Sequence, residues 1–159
     1  MKMKRQRWKV YGAWILFTEA VGALSGFLTR GGMETYKLTV RKPFLSPPDW
    51  LFPIAWGILY ALMGIGAARI HLTGAEGRKK ALGVYLLQLG FNFFWSVIFF
   101  SLMAFGAAFL WLAALFVLVV WMVLLFSELD RPAGLLQIPY LLWLLFAGYL
   151  NLGVWLLNR

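Results

Sequence analysis

The chain has 159 residues, of which 62% are apolar and 13% charged, with a formal net charge of +9. A soluble domain would be about half apolar and a quarter charged, so an ordinary globular enzyme and a disordered chain are both excluded, and an integral membrane protein is the first reading. There is no cysteine, which removes disulfides, thiolate chemistry and cysteine-held metals.

Charged residues divide the chain into long uncharged runs. From Val10 to Thr29 the only charge is Glu19. Crossing a bilayer core takes about 20 apolar residues, so this run is predicted to span once, over 10–29. The bases from Lys2 to Lys9 resemble the head of a signal peptide, but the apolar run continues to Leu28, too long for a signal core, and a retained helix is expected. Gly22 and Gly26 form a GxxxG, a mark of close helix packing. Residues 30–46 follow as an outer loop, longer than a connection requires, and such loops often serve as lids. Ser46 as cap, Pro47 at the first helical position and Asp49 behind it signal the start of a second helix, over 47–70. A short polar segment from Leu72 to Lys80 leads to a third, over 80–101. The uncharged run from Ala81 to Ser127 holds two spans, turning between Ser101 and Gly106, so the fourth covers 105–127. The run from Pro132 onward gives the fifth, over 134–157. Pro53 and Pro139 lack a donor and are expected to bend their helices near the start. The fold class is an all-α membrane protein: one domain, 1–159, forming a bundle of five transmembrane helices.

Five spans put the termini on opposite sides. Of the 15 Lys and Arg residues, ten fall on the side of the amino terminus and five on the other. The positive-inside rule then makes the amino terminus cytoplasmic. This distribution accounts for the positive excess without any nucleic-acid module, and the bacterial inner membrane fits it best. No long internal repeat is apparent, which weighs against transporters built from inverted repeats.

Polar side chains inside a membrane are costly, so their positions carry information. In the third helix Gln88, Asn92, Trp95 and Phe99 share one face, with Ser96 at its edge. Gly83, Leu87, Gly90 and Phe94 share the other, where glycines permit close approach. The second helix carries Trp56, Tyr60 and Met63 at similar spacing; the fifth carries Tyr140, Trp143, Ala147 and Asn151. At 1.5 Å per residue, Trp56 lies about 12 Å below Pro48 and Asn92 about 18 Å above Lys80, while Trp143 and Ala147 lie roughly 14 and 20 Å above Gly134. Three helices thus offer aromatic or amide groups at one level. Two readings stay open: an intramembrane cavity for a flat apolar ligand, or amides that bond neighbouring helices without any ligand. Trp8, Trp14, Trp50, Trp111, Trp121 and Trp155 are assigned to interfacial belts. Glu19 is the only deep acid; a protonated carboxyl bonding another helix competes there with a functional role. His71 reads as an interfacial residue beside Arg69. No metal site, nucleophile–base pair or phosphate loop is found.

Taken together, Pro47-Pro48, Trp50, Phe52-Pro53-Ile54-Ala55-Trp56 and Leu59-Tyr60, then Gln88-Leu89, Asn92, Trp95 and Phe99-Phe100, then Pro139-Tyr140, Trp143, Ala147 and Leu150-Asn151 resemble the TspO/MBR family of tryptophan-rich sensory proteins, related to the mitochondrial translocator protein or peripheral benzodiazepine receptor. The resemblance covers nearly the whole chain. It implies a five-helix bundle, commonly a homodimer, with a pocket open toward the first loop that binds porphyrins such as protoporphyrin IX, isoquinoline and benzodiazepine-type drugs and, in animals, cholesterol. Carried over, the ligand-binding residues are Trp56, Tyr60, Asn92, Trp95, Ser96, Trp143 and Ala147, with Tyr36 and Pro47 near the loop. The dimer face becomes Gly83, Leu87 and Gly90. Arg41, Lys42 or Lys37 would meet porphyrin carboxylates at the outer mouth. The sterol motif requires a base soon after its Tyr; after Tyr149 the next is Arg159. Phe44 is followed by Leu45 where the family often has a second aromatic residue, and Glu19 is outside the family's pattern.

The expected function is therefore a membrane receptor or sensory protein for porphyrins and related flat apolar ligands, regulating tetrapyrrole levels, with no cofactor, the porphyrin being ligand, and with membrane lipid and a second copy as partners. One alternative is light- and oxygen-dependent porphyrin degradation, in which Trp56 and Trp143 would be the reactive groups. Another is a tetrapyrrole or lipid transporter.

Overall fold

The computed structural model describes all of residues 1–159 and contains helices and no strands. In chain order these are α1 (Lys2–Thr39), α2 (Leu51–Leu72), α3 (Arg78–Ser96) continued by a π-helical turn at Val97–Ser101, α4 (Phe105–Leu129), the short α5 (Arg131–Leu135) and α6 (Ile138–Leu157). Five segments are long and apolar enough to cross a membrane, α5 and α6 forming the last of them together. The protein is an integral membrane protein.

Around the bundle, α1 packs beside α2, α2 meets α5, α5 and α6 lie against α4, α4 against α3, and α3 returns to α1. α2 and α6 are not close backbone neighbours. They meet indirectly near α5, where Gln137 donates to the Leu62 carbonyl at 3.4 Å and Gly66 leaves room for the Gln137 amide.

Where α1 touches its neighbours, its buried residues are small and polar. The buried residues of α1 are Thr18, Ser25 and Thr29, whereas Leu16, Phe17, Leu24, Phe27 and Leu28 are exposed. In lipid the apolar effect does not draw helices together, so close approach and interhelical hydrogen bonds do. Thr18 accordingly bonds Tyr85 of α3, and a Cβ at Gly64 would stand 2.7 Å from the Ile15 Cα.

Several boundaries differ from the sequence expectation. The outer loop expected over 30–46 is helical as far as Thr39. Charge at Arg30 ends an apolar run, but it does not end a helix. Gly31-Gly32 do not break this one, because the bare Cα of Gly32 lies against the Phe100 carbonyl; the first true breaker is Pro43. The start signal at Ser46 is not used as such: the Ser46 hydroxyl donates to the Pro43 carbonyl at 2.7 Å, closing a turn in which Leu45 is left-handed, and α2 begins only at Leu51. The fifth expected helix is split. Pro139 cannot donate, and its ring would crowd the carbonyl of Leu135, so the chain turns at Leu136-Gln137 and Pro139 sits in the first turn of α6. Gly74 and Gly77 take positive φ in the short segment between α2 and α3, a conformation open to glycine without a Cβ clash.

Candidate functional site

The polar face of α3 lies inside the bundle. Gln88, Asn92, Trp95 and Phe99 are all buried, while Gly83, Leu87 and Phe94 are exposed. At the centre, Asn92 joins three helices. Its Oδ1 accepts from the Tyr60 hydroxyl of α2 at 2.8 Å, and its Nδ2 donates to the Tyr140 hydroxyl of α6 at 2.8 Å. Tyr140 in turn donates to Gln88 Oε1 at 2.9 Å. All bonds in this chain run the same way, and it ends at Gln88 Nε2, which is buried with no partner.

The indoles lie directly outward of this chain. Trp56 stacks on Tyr60 at 5.4 Å between ring centroids and meets Trp143 edge-on at 6.2 Å and Tyr140 at 6.3 Å. Phe52 closes the group against Trp143 at 6.0 Å. Between α2 and α6, which are not close backbone neighbours, the filling is aromatic side chain. Tyr60 fits because α1 has Gly22 under its ring; any Cβ there would collide with it. Gly26 has open space beside it, so the GxxxG does not pack as a pair.

Trp95 belongs to a second group nearer the loop. Its Nε1 donates to Asn151 Oδ1 at 3.1 Å, and Asn151 Nδ2 donates to the Phe105 carbonyl at 2.8 Å. Trp95 stacks on Phe99, which touches Tyr36 of α1 at 5.4 Å. Ser96 is half-buried and makes no side-chain hydrogen bond, Ala147 is buried, and Pro47 is half-buried in the loop. The expected residues thus fall into an inner group, Trp56, Tyr60, Asn92 and Trp143, and an outer one, Trp95 and Tyr36. Sequence reasoning noted Tyr140 and Gln88 by spacing but left them out of the site. Yet Tyr140 is the junction, a tyrosine that at 1% exposure must find a partner.

The loop is held down at several points. Asn158 Oδ1 accepts from the Arg41 N–H at 2.9 Å while its Nδ2 donates to the Arg41 carbonyl at 2.8 Å. Tyr149 donates to the Phe44 carbonyl at 2.6 Å, and Pro43 packs on Gly153. Nothing in the sequence distinguishes Asn158 for this role. Of the outer bases, Lys42 pairs with Asp49 at 3.6 Å and lies over the Tyr36 ring, whereas the side chains of Lys37 and Arg41 have no carboxylate partner.

Two sequence expectations are corrected. Trp14 and Trp111 are not belt residues: both are half-buried, Trp14 Nε1 donating to His71 Nδ1 at 3.3 Å and Trp111 Nε1 to the Phe91 carbonyl at 2.8 Å. Glu19 makes no hydrogen bond to another helix; it lies one turn before Gly22 on α1 and is half-exposed. His71 is exposed in the last turn of α2, in keeping with an interfacial residue, and its ring accepts from Trp14 of α1.

Residues 14–156 match the TspO/MBR family. The chain is 38% identical to the tryptophan-rich protein TspO of Chlorobaculum tepidum over 87% of its own length and 89% of that protein's. It is 37% identical to the protein of the same name from Archaeoglobus fulgidus, covering 91% and 94%. With the translocator protein of Bos taurus the identity is 34%, covering 86% and 85%. The five spans, the aromatic filling between α2 and α6 and this likeness along almost the entire chain agree: it belongs to the TspO/MBR family.

Proposed function

We propose that this protein is a membrane receptor or sensor whose ligand is a porphyrin, such as protoporphyrin IX, or a related flat apolar molecule, bound between α2 and α6. The observation that carries this reading is the Trp56–Trp143 contact between two helices that are not backbone neighbours. Rings meeting edge-on are held by about 0.5–1.5 kcal/mol beyond the area they bury. A macrocycle stacking on both indoles replaces that contact with two larger ones, and no helix–helix backbone packing has to be broken to admit it. Beneath it, Gln88 Nε2 is a buried donor without an acceptor, and such a group gains by meeting a polar ligand atom or water. At the mouth, Lys37 and Arg41 are free to meet carboxylates.

The binding test is a titration of protoporphyrin IX followed by tryptophan quenching. Trp143→Ala and Trp56→Ala should each weaken binding by about tenfold, the worth of one good stack; unchanged affinity in both removes the site. We further propose that the protein is a homodimer through Gly83, Leu87 and Gly90, which lie on the outward face of α3 with open space beside both glycines. Leu87→Cys should crosslink to itself in membranes, and failure to do so counts against this face. The amino terminus is assigned to the cytoplasmic side of a bacterial inner membrane on charge bias, which accessibility labelling of Lys2→Cys against Asn158→Cys checks.

A further inference from the structure

At the amino-terminal end of the bundle, away from the indoles, two hollows share one side chain. A polar cavity of about 170 Å³ is lined by Arg7, Tyr11, Arg69, Leu72, Thr73 and Asp130. An apolar groove of about 480 Å³ adjoins it, lined by Leu62, Arg69, Pro132, Leu135, Leu136 and Pro139. The groove follows the break between α5 and α6. Leu135 at its edge is 58% exposed, so it opens to the surrounding lipid. From Arg69 to Leu62 is seven residues, so the groove runs about 10 Å along α2 from the membrane surface into the hydrocarbon.

The charges do not balance. Arg69 gives Nε and one terminal nitrogen to Asp130, at 2.6 and 3.1 Å. Its other side-chain neighbour in the hollow is the hydroxyl of Tyr11, which carries no carboxylate charge and cannot occupy all five N–H donors of a guanidinium. Arg7 has no carboxylate partner. Two guanidinium groups against one carboxylate leave one net positive charge beside an apolar channel of lipid depth.

We infer that this corner binds an anionic phospholipid of the leaflet on the amino-terminal side, its phosphate between Arg7 and Arg69 and one acyl chain in the groove. Asp130 keeps Arg69 aimed across the corner. A zwitterionic lipid fills the groove equally well but brings no net charge to answer the unbalanced arginine.

Native mass spectrometry of the purified full-length protein with a one-to-one mixture of phosphatidylglycerol and phosphatidylcholine of matched chains tests this. Phosphatidylglycerol should be retained in preference. Arg7→Gln should lower that preference about fivefold, the worth of one base near an anionic surface, while Lys4→Gln, an equal loss of charge outside the corner, should change it by less than about twofold. Arg7 is exposed and unpaired, so its removal leaves the fold in place, and circular dichroism verifies that. Leu135→Trp should reduce retention of both lipids. Inorganic phosphate should not displace the lipid. Equal retention of the two lipids, equal losses from Arg7→Gln and Lys4→Gln, an unaffected Leu135→Trp, or displacement by phosphate alone would each overturn the assignment.

Discussion

Replacing Asn92 by Leu keeps most of the side-chain volume and removes the bond from Tyr60 of α2 and the bond to Tyr140 of α6. The losses are unequal. Tyr140 still donates to Gln88 and forfeits one incoming bond, which between membrane helices is worth about 0.6 kcal/mol on average. Tyr60, 8% exposed, is left with a hydroxyl that has no acceptor, at a cost of about 1–3 kcal/mol. Asn92→Leu should therefore destabilise by about 2–3 kcal/mol. Tyr60→Phe keeps the ring on Gly22 and under Trp56 and should cost only about 1 kcal/mol. In the double variant no hydroxyl remains to be orphaned, so its cost should fall short of the sum by about 1.5 kcal/mol. Tyr149→Phe, whose hydroxyl bonds the loop at Phe44, serves as the control and should add to Asn92→Leu without coupling. Unfolding in mixed detergent and dodecyl sulfate micelles, followed by circular dichroism, gives the stabilities of the parent, the three single variants and the two doubles. A Tyr60–Asn92 coupling below about 0.3 kcal/mol, the level at which independent sites add, would refute the reasoning.

Gly22→Ala puts a methyl group into the Tyr60 ring, whereas Gly26→Ala meets open space; the first should lower both stability and porphyrin affinity and the second neither, measured by the same unfolding and quenching assays. Asn158→Ala removes two bonds to the Arg41 backbone, about 1–2 kcal/mol in all, so amide exchange over 40–46 should rise roughly tenfold while the centre of α3 is unchanged. The hydrogen bonds from Arg69 hold the Asp130 carboxyl below its ordinary value despite partial burial, its charge and the Ala133 N–H assisting. A depressed carboxylate stabilises above its unfolded pKa of about 3.9 and loses that contribution as pH falls through the folded value. The stability difference between the protein and Asp130→Asn should therefore be flat from about pH 5 to 8 and shrink below about pH 4; a difference that changes near neutrality would contradict the pairing.

Much of this arrangement was legible in the sequence because a membrane inverts the usual cost of polar groups. The period of Gln88, Asn92, Trp95 and Phe99 marked the inward face of α3 correctly, since polar atoms at that depth must find one another. The level of Trp56 and Trp143 followed from helical rise alone, and the two rings do meet. What failed was local punctuation. Ser46-Pro47 is a sound start signal in isolation, but the Ser46 hydroxyl is taken by the Pro43 carbonyl, a contact set by the loop's own turn. Arg30 ends the apolar run without ending α1, which continues through Gly32, a crossing point against Phe100. The division of the aromatic residues into two groups was not legible, because Trp95 pairs with Asn151 and Trp56 with Trp143 through lateral placement that rise per residue does not encode. Asn158 was invisible for a similar reason: its partners are backbone atoms of Arg41, far away in the chain.

The most direct test is a structure with protoporphyrin IX bound. The expected result is a macrocycle between α2 and α6, with Trp56 and Trp143 parted and stacked on it and the Tyr60–Asn92–Tyr140 bonds preserved beneath. A macrocycle lying elsewhere, with the two indoles still in contact, would contradict the site.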